Sequence, residues 1–136
     1  MKKMYMIFIM SLFILLSACS SKELADPIVL PASDDVTSIT IVSGGITATS
    51  IDDEWMGEVM SILMDMESTA ISSDYDAPRV EDYIIINFNC SDDTIKTIFF
   101  YEDDGKQYVE QPYQGIYIPA PALEVKITSL LESLDK

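Results

Sequence analysis

The chain contains no histidine, one arginine and two cysteines. Without histidine there is no His-based catalytic triad, no imidazole general base and no His-ligated zinc. Two cysteines cannot supply a four-thiolate zinc site. Arg79 alone would have to provide any bidentate clamp for phosphate or carboxylate, and no Gly-rich phosphate loop of common spacing occurs. Basic residues are scarce altogether, with 8 Lys and Arg against 23 Asp and Glu and a formal charge of −15. Such a balance argues against nucleic acid as a partner and against charge-driven adhesion to anionic lipid. These absences leave few routes to catalysis, and neither an enzymatic activity nor a cofactor is expected.

Long apolar runs are also lacking, with one exception. Met4 to Leu16 is uncharged, follows Lys2 and Lys3, and spans 13 residues. As a helix it would reach roughly 20 Å at about 1.5 Å per residue, short of the about 30 Å of a hydrocarbon core. A positive n-region followed by a short apolar run reads as a signal peptide. The run ends in Leu16-Ser17-Ala18-Cys19, and these four residues resemble the lipobox of bacterial lipoproteins. The resemblance implies cleavage after Ala18 and a thioether-linked diacylglycerol on Cys19. The expected division is a signal peptide at 1–18, a lipidated cysteine and polar tether at 19–27, and a single domain at 28–136. Loss of Lys2 and Lys3 would leave 6 basic and 23 acidic residues, a charge of −17. The expected location is the outer side of the cell membrane, held there by the lipid. With Cys19 committed to lipid, Cys90 has no partner for a disulfide and reads as a small buried apolar residue.

Hydrophobic periodicity then divides the remainder. Val36 to Val42 and Ile46 to Ile51 are β-rich runs joined by Gly44-Gly45, a hairpin signature. Val36, Ser38, Thr40 and Val42 fall on one face of the first run, with Thr37, Ile39 and Ile41 on the other. Trp55, Val59, Ile62, Leu63 and Met66 fall at i, i+4, i+7, i+8 and i+11, one face of a helix capped by Ser50 or Asp52. Asp82 to Cys90, Ile95 to Glu102 and Lys106 to Glu110 alternate as strands of an antiparallel meander, with Asp103-Asp104-Gly105 at the second turn. Leu123, Ile127, Leu130, Leu131 and Leu134 repeat the helical arithmetic, with Pro121 in the first turn. The expected fold is α+β: a mostly antiparallel sheet of about five strands with two amphipathic helices packed on one face.

The paired acids Asp34-Asp35, Asp52-Asp53, Asp92-Asp93 and Asp103-Asp104 lack the spacing of a calcium loop and suit turns and helix starts. Met56, Met60 and Met64, at i, i+4 and i+8, widen the core face of the first helix or form an adaptable contact surface. The aromatic-rich run from Tyr108 to Tyr117 is bent by Pro112 and Gly115. It offers an interaction surface in Tyr108, Glu110, Tyr113, Gln114 and Tyr117, or else joins the sheet edge to the last helix.

Leu30-Pro31, Thr37 to Ile41, the Asp-capped Trp55 helix, Pro78, Tyr83 to Phe88 and the Glu110-Gln111-Pro112-Tyr113-Gln114-Gly115-Ile116-Tyr117 run together resemble a family of small Firmicutes lipoprotein domains of unknown function. The resemblance implies a Gram-positive lipoprotein and assigns no activity. The expected role is a non-enzymatic binding domain for a protein or a cationic peptide, steered by its negative charge. An inhibitor or immunity-type accessory protein and a small carboxylate-based hydrolase are the alternatives.

Overall fold

The computed structural model describes residues 22–135. Its architecture is α+β, a seven-stranded antiparallel sheet with two helices. The strands are β1 (Val36–Ser43), β2 (Ile46–Ser50), β3 (Glu67–Ser68), β4 (Ile84–Cys90), β5 (Ile95–Asp103), β6 (Lys106–Gln111) and β7 (Gly115–Ile118). The helices are α1 (Asp53–Met64) and α2 (Ala122–Glu132). The sheet order is β2-β1-β4-β5-β6-β7-β3. No described helix is long and apolar enough to cross a membrane.

The turns follow from their residues. Gly44 (φ 55°) and Gly45 (φ 83°) form the two-residue loop of the β1–β2 hairpin. Asp104 (φ 51°) and Gly105 (φ 74°) do the same between β5 and β6. Positive φ at both central positions matches the right-handed twist of the strands, which is why Gly-Gly and Asp-Gly serve. Asp52 caps α1 through a carboxylate oxygen that accepts from the Trp55 N–H at 2.7 Å. The Ser50 hydroxyl accepts from the Asp52 N–H at 3.3 Å, so both candidate caps take part.

The main core lies between one sheet face and the two helices. Ile39, Ile41, Ile86, Phe88 and Ile98 from the sheet meet Val59 and Leu63 of α1 and Leu123 and Ile127 of α2, each fully buried. Met56 and Met60 join this core, while Met64 is 71% exposed, so the methionine stripe divides at its last member. Cys90 is a buried free thiol at the end of β4.

The opposite sheet face is divided. Across β2, β1, β4 and β5, a transverse row of Thr49, Thr40, Asn87 and Thr97 is uncharged. It is knit by bonds between Thr40 and Thr49 hydroxyls (3.0 Å) and from Thr97 to Asn87 (2.7 Å). Across β5 and β6 the same face becomes aromatic and is covered by the segment from Thr69 to Tyr83. Tyr83 meets Phe99 edge-on at 5.2 Å, and Tyr101 lies 5.7 Å from Tyr108.

Four sequence expectations need correction. The sheet has seven strands, not about five: β7 arises where the Gln111–Gly115 stretch reverses the chain, and β3 adds two residues to its edge. Val36 faces the main core together with Ile39 and Ile41, because a bulge between Val36 and Ser38 resets the alternation. The α1 helix stops at Met64, so Met66 reaches the core from the following segment; Leu134 lies beyond α2 and is 52% exposed.

Candidate functional site

The run Glu110 to Tyr117 turns the chain from β6 into β7. Pro112 fixes φ at the start of the turn, the Gln114 N–H donates to the Gln111 carbonyl at 3.0 Å, and Tyr113 takes φ 61°. A tyrosine in this left-handed region costs about 1–2 kcal/mol and persists only where its surroundings hold it. Two contacts do so. The Tyr113 hydroxyl donates to an Asp76 carboxylate oxygen at 2.9 Å, and its N–H donates to the Ser73 hydroxyl at 3.3 Å. Ser73 in turn donates to Glu110 at 2.7 Å, and the Tyr101 hydroxyl donates to the other Glu110 oxygen at 3.3 Å. Glu110 is 4% exposed, so these two hydroxyls stand in for the water it has lost.

The other side of the turn grips the start of the domain. The Gln111 amide bonds twice to Val29, accepting from its N–H at 2.8 Å and donating to its carbonyl at 2.7 Å. Gln114 donates to the Pro27 carbonyl at 3.0 Å, and the Tyr117 hydroxyl donates to the Asp26 carbonyl at 2.6 Å. Ala25 donates through its backbone to Thr69 at 2.8 Å. At Gly115 an added Cβ would stand within 2.4 Å of the Ala25 Cβ, so only glycine admits this approach. Gln111, Gln114, Gly115 and Tyr117 therefore form a clasp around residues 25–29.

Between clasp, turn and loop lies an open groove of about 330 Å³. Glu23, Asp26 and Asp74 line it, and Asp76 stands beside it on the Tyr113 hydroxyl. Leu24 (65%), Ile71 (50%) and Tyr113 (67%) expose apolar surface to the same space. Tyr75, nearby in the loop, carries the Arg79 guanidinium 4.8 Å above its ring and accepts from it at 3.1 Å. Aromatic faces attract cations through their quadrupole, and here the chain's single arginine occupies one. A larger apolar groove, of about 890 Å³, runs between residues 28–33 and the Met60–Met64 side of α1 with one carboxylate, Asp65, at its rim.

Hydroxyl chemistry reflects these contacts. The bond to Asp76 raises the Tyr113 pKa above the ordinary tyrosine value. Burial, reinforced by Asp26, raises that of Tyr117. Burial and then the Glu110 charge push Tyr101 far above the ordinary value. All three remain neutral donors through the physiological range. Among the described residues, no group of three acids or thiols converges as a metal site.

Of the residues expected to form a surface, Tyr113 alone is widely exposed. Gln114 is half-buried in the clasp, and Tyr108 sits half-buried beside Tyr101 on another groove with Lys106 and Pro119. Glu110 and Tyr117 are not surface groups, because each is consumed by an internal bond. Leu16, Ser17, Ala18 and Cys19 lie outside the described residues. The stretch expected as a tether, 19–27, is bonded to the domain from Ala25 onward. Asp26, Asp74, Asp76, Leu24 and Ile71 were not foreseen, since nothing local in the sequence places them beside Tyr113.

Residues 24–118 match the DUF5301 family, described as a domain of unknown function (DUF5300). The chain belongs to this family. Both halves of the clasp, 25–29 and 111–117, fall inside the matched range, while α2 follows it. A similar solved structure is the NMR structure of a protein from Ruminococcus gnavus, 33% identical with a TM-score of 0.60, covering 68% of this chain and 91% of that one. No curated protein matches the chain.

Proposed function

We propose that the protein is a membrane-anchored extracytoplasmic lipoprotein whose single DUF5301 domain is a non-enzymatic binding module for a positively charged peptide or protein segment. In this reading residues 1–18 are the signal peptide, Cys19 carries the lipid, and the anchor attaches an acidic domain that no basic patch could hold to a membrane. The observation that supports docking is the groove at Tyr113, which Glu23, Asp26 and Asp74 line together with exposed Leu24, Ile71 and Tyr113, with Asp76 beside it on the Tyr113 hydroxyl. Apolar area supplies contact, and the acids select for cations and speed encounter.

Two measurements test the reading. Labelled-lipid incorporation into the expressed protein should occur and disappear in Cys19→Ala; absence of label in the wild type would remove the anchor. Binding of a Lys-rich peptide should weaken steeply with salt and fall at least fivefold in the Asp26→Asn/Asp74→Asn double variant. Equal binding by the double variant would remove the groove from the proposal.

A further inference from the structure

The clasp restricts where the groove can be. Residues 25–29 are held by Gln111, Gln114 and Tyr117 through side-chain bonds and by Thr69 through its backbone. If Cys19 is lipidated, six residue steps separate the anchor from Ala25. At about 3.3–3.6 Å per step the extended chain reaches about 20 Å. Glu23, Leu24 and Asp26 line the groove themselves, so the anchored strand enters the domain through the docking surface. Such a domain cannot turn this surface far from the lipid.

Screening gives that geometry a consequence. At physiological ionic strength the Debye length is about 8 Å, so the groove's carboxylates act mainly on cations that have already come close to the groove. A basic peptide adsorbed at the interface adds to this steering a high local concentration within reach of the anchored groove, which one in bulk solution lacks. The groove is small and open, near the lower end of the about 300–1,000 Å³ range of ligand pockets. It accepts one or two side chains from a larger partner. Its combination of Leu24, Ile71 and Tyr113 with carboxylates suits an occupant that presents apolar and basic side chains together. A basic amphipathic segment at a membrane interface has that composition.

Building on the docking and anchoring proposed above, we infer that the groove between residues 23–26, the Ile71–Asp74 loop and Tyr113 receives a basic amphipathic segment lying in the membrane interface. The partner is thus met at the bilayer surface, and the short clasped tether is part of the recognition.

The test uses the lipidated full chain in phosphatidylcholine vesicles. One probe is an amphipathic peptide of Leu and Lys, and the other is an equally charged peptide of Ser and Lys that stays in solution. A carbodiimide joins lysine amines to carboxylates in direct contact, and mass spectrometry maps the joined acids. The Leu/Lys probe should join at Glu23, Asp26, Asp74 or Asp76 with at least fivefold greater yield than the Ser/Lys probe. A Gly/Ser insert of about 30 residues between Ser21 and Lys22, with a root-mean-square span of about 30 Å, should reduce that yield at least fivefold. Equal yields from the two probes, or a yield unchanged by the insert, would overturn the interfacial inference while leaving a cation-docking groove. Absence of joining at these acids with either probe would overturn the docking reading and the inference with it.

Discussion

The Gln111 side-chain amide pairs with the Val29 backbone as a neighbouring strand would, accepting at 2.8 Å and donating at 2.7 Å across 82 residues of chain. A side chain thereby replaces one rung of a ladder that the Pro27–Pro31 segment cannot form by itself. Gln111→Leu keeps the size and removes both bonds. Stability should fall by about 1–2 kcal/mol, read as a lower urea midpoint, and the Val29 amide should exchange hydrogen faster. Unchanged Val29 exchange would show that the segment is held by something else.

Tyr117→Phe removes the bond to the Asp26 carbonyl and should cost about 1 kcal/mol. Since Gln111 and Tyr117 hold the same five-residue segment, their losses should not add. The double variant should cost less than the sum by about 0.5 kcal/mol or more. Strict additivity in a double-mutant cycle would mean that the two bonds act on independent segments.

Gly115→Ala places a methyl within 2.4 Å of the Ala25 Cβ. Overpacking of this kind costs about 1–3 kcal/mol. Ala25→Gly should restore most of the loss, because it removes the obstructing atom. Failure of that rescue would trace the effect to the Tyr117 hydroxyl, which the new methyl would also approach, at 3.1 Å.

Tyr101, Tyr113 and Tyr117 all have pKa values raised by folding, Tyr101 mainly through burial. On raising the pH, the unfolded chain releases these phenolic protons first, so the unfolded state binds fewer protons than the native state. Stability is therefore fully present below about pH 10 and declines above it. Alkaline unfolding followed by circular dichroism should begin above about pH 10, and Tyr101→Phe should flatten its pH dependence. A pH dependence unchanged in Tyr101→Phe would contradict the assignment. In acid the sign reverses at Asp92, whose carboxyl is held below its ordinary value by the Thr94 hydroxyl and N–H, so its contribution is lost as the pH falls.

Local contacts of helix α1 should separate in size. Asp52→Ala removes the cap on the Trp55 N–H and should cost about 1 kcal/mol. Lys126→Met breaks the Lys126–Glu58 ion pair to α2, whose side chains are 31% and 47% exposed, and should change stability by under about 1 kcal/mol. Thermal melts of the two variants provide the comparison, and a larger loss from Lys126→Met would reverse this ranking.

Much of the fold was legible because its signals are local. The faces of α1 and α2 appear in the spacing of Trp55, Val59 and Leu63 and of Leu123 and Ile127, and Gly44-Gly45 and Asp104-Gly105 name their own turns. Strand β7 was hidden because Tyr113 occupies a left-handed position that sequence patterns assign to glycine or asparagine. Val36 was placed on the wrong face because one bulged residue inverts a period of two. Glu110 reads as surface because it is charged, and its burial is satisfied by the hydroxyls of Tyr101, on the neighbouring strand, and of Ser73, 37 residues away. Within the Glu110–Tyr117 run, expected as a surface, Gln111, Gln114 and Tyr117 bond to partners 82 to 91 residues earlier. No local pattern reports such a distance.

The clasp also sets how the domain bears load. Tension applied at its N-terminus falls first on the bonds at Ala25, Asp26, Pro27 and Val29, all of them outside the β-ladders joining the seven strands. These can peel one after another while the sheet stays shut, freeing five residues and about 17–18 Å of chain. The clasped segment would then act as a mechanical fuse, yielding length before it yields the fold.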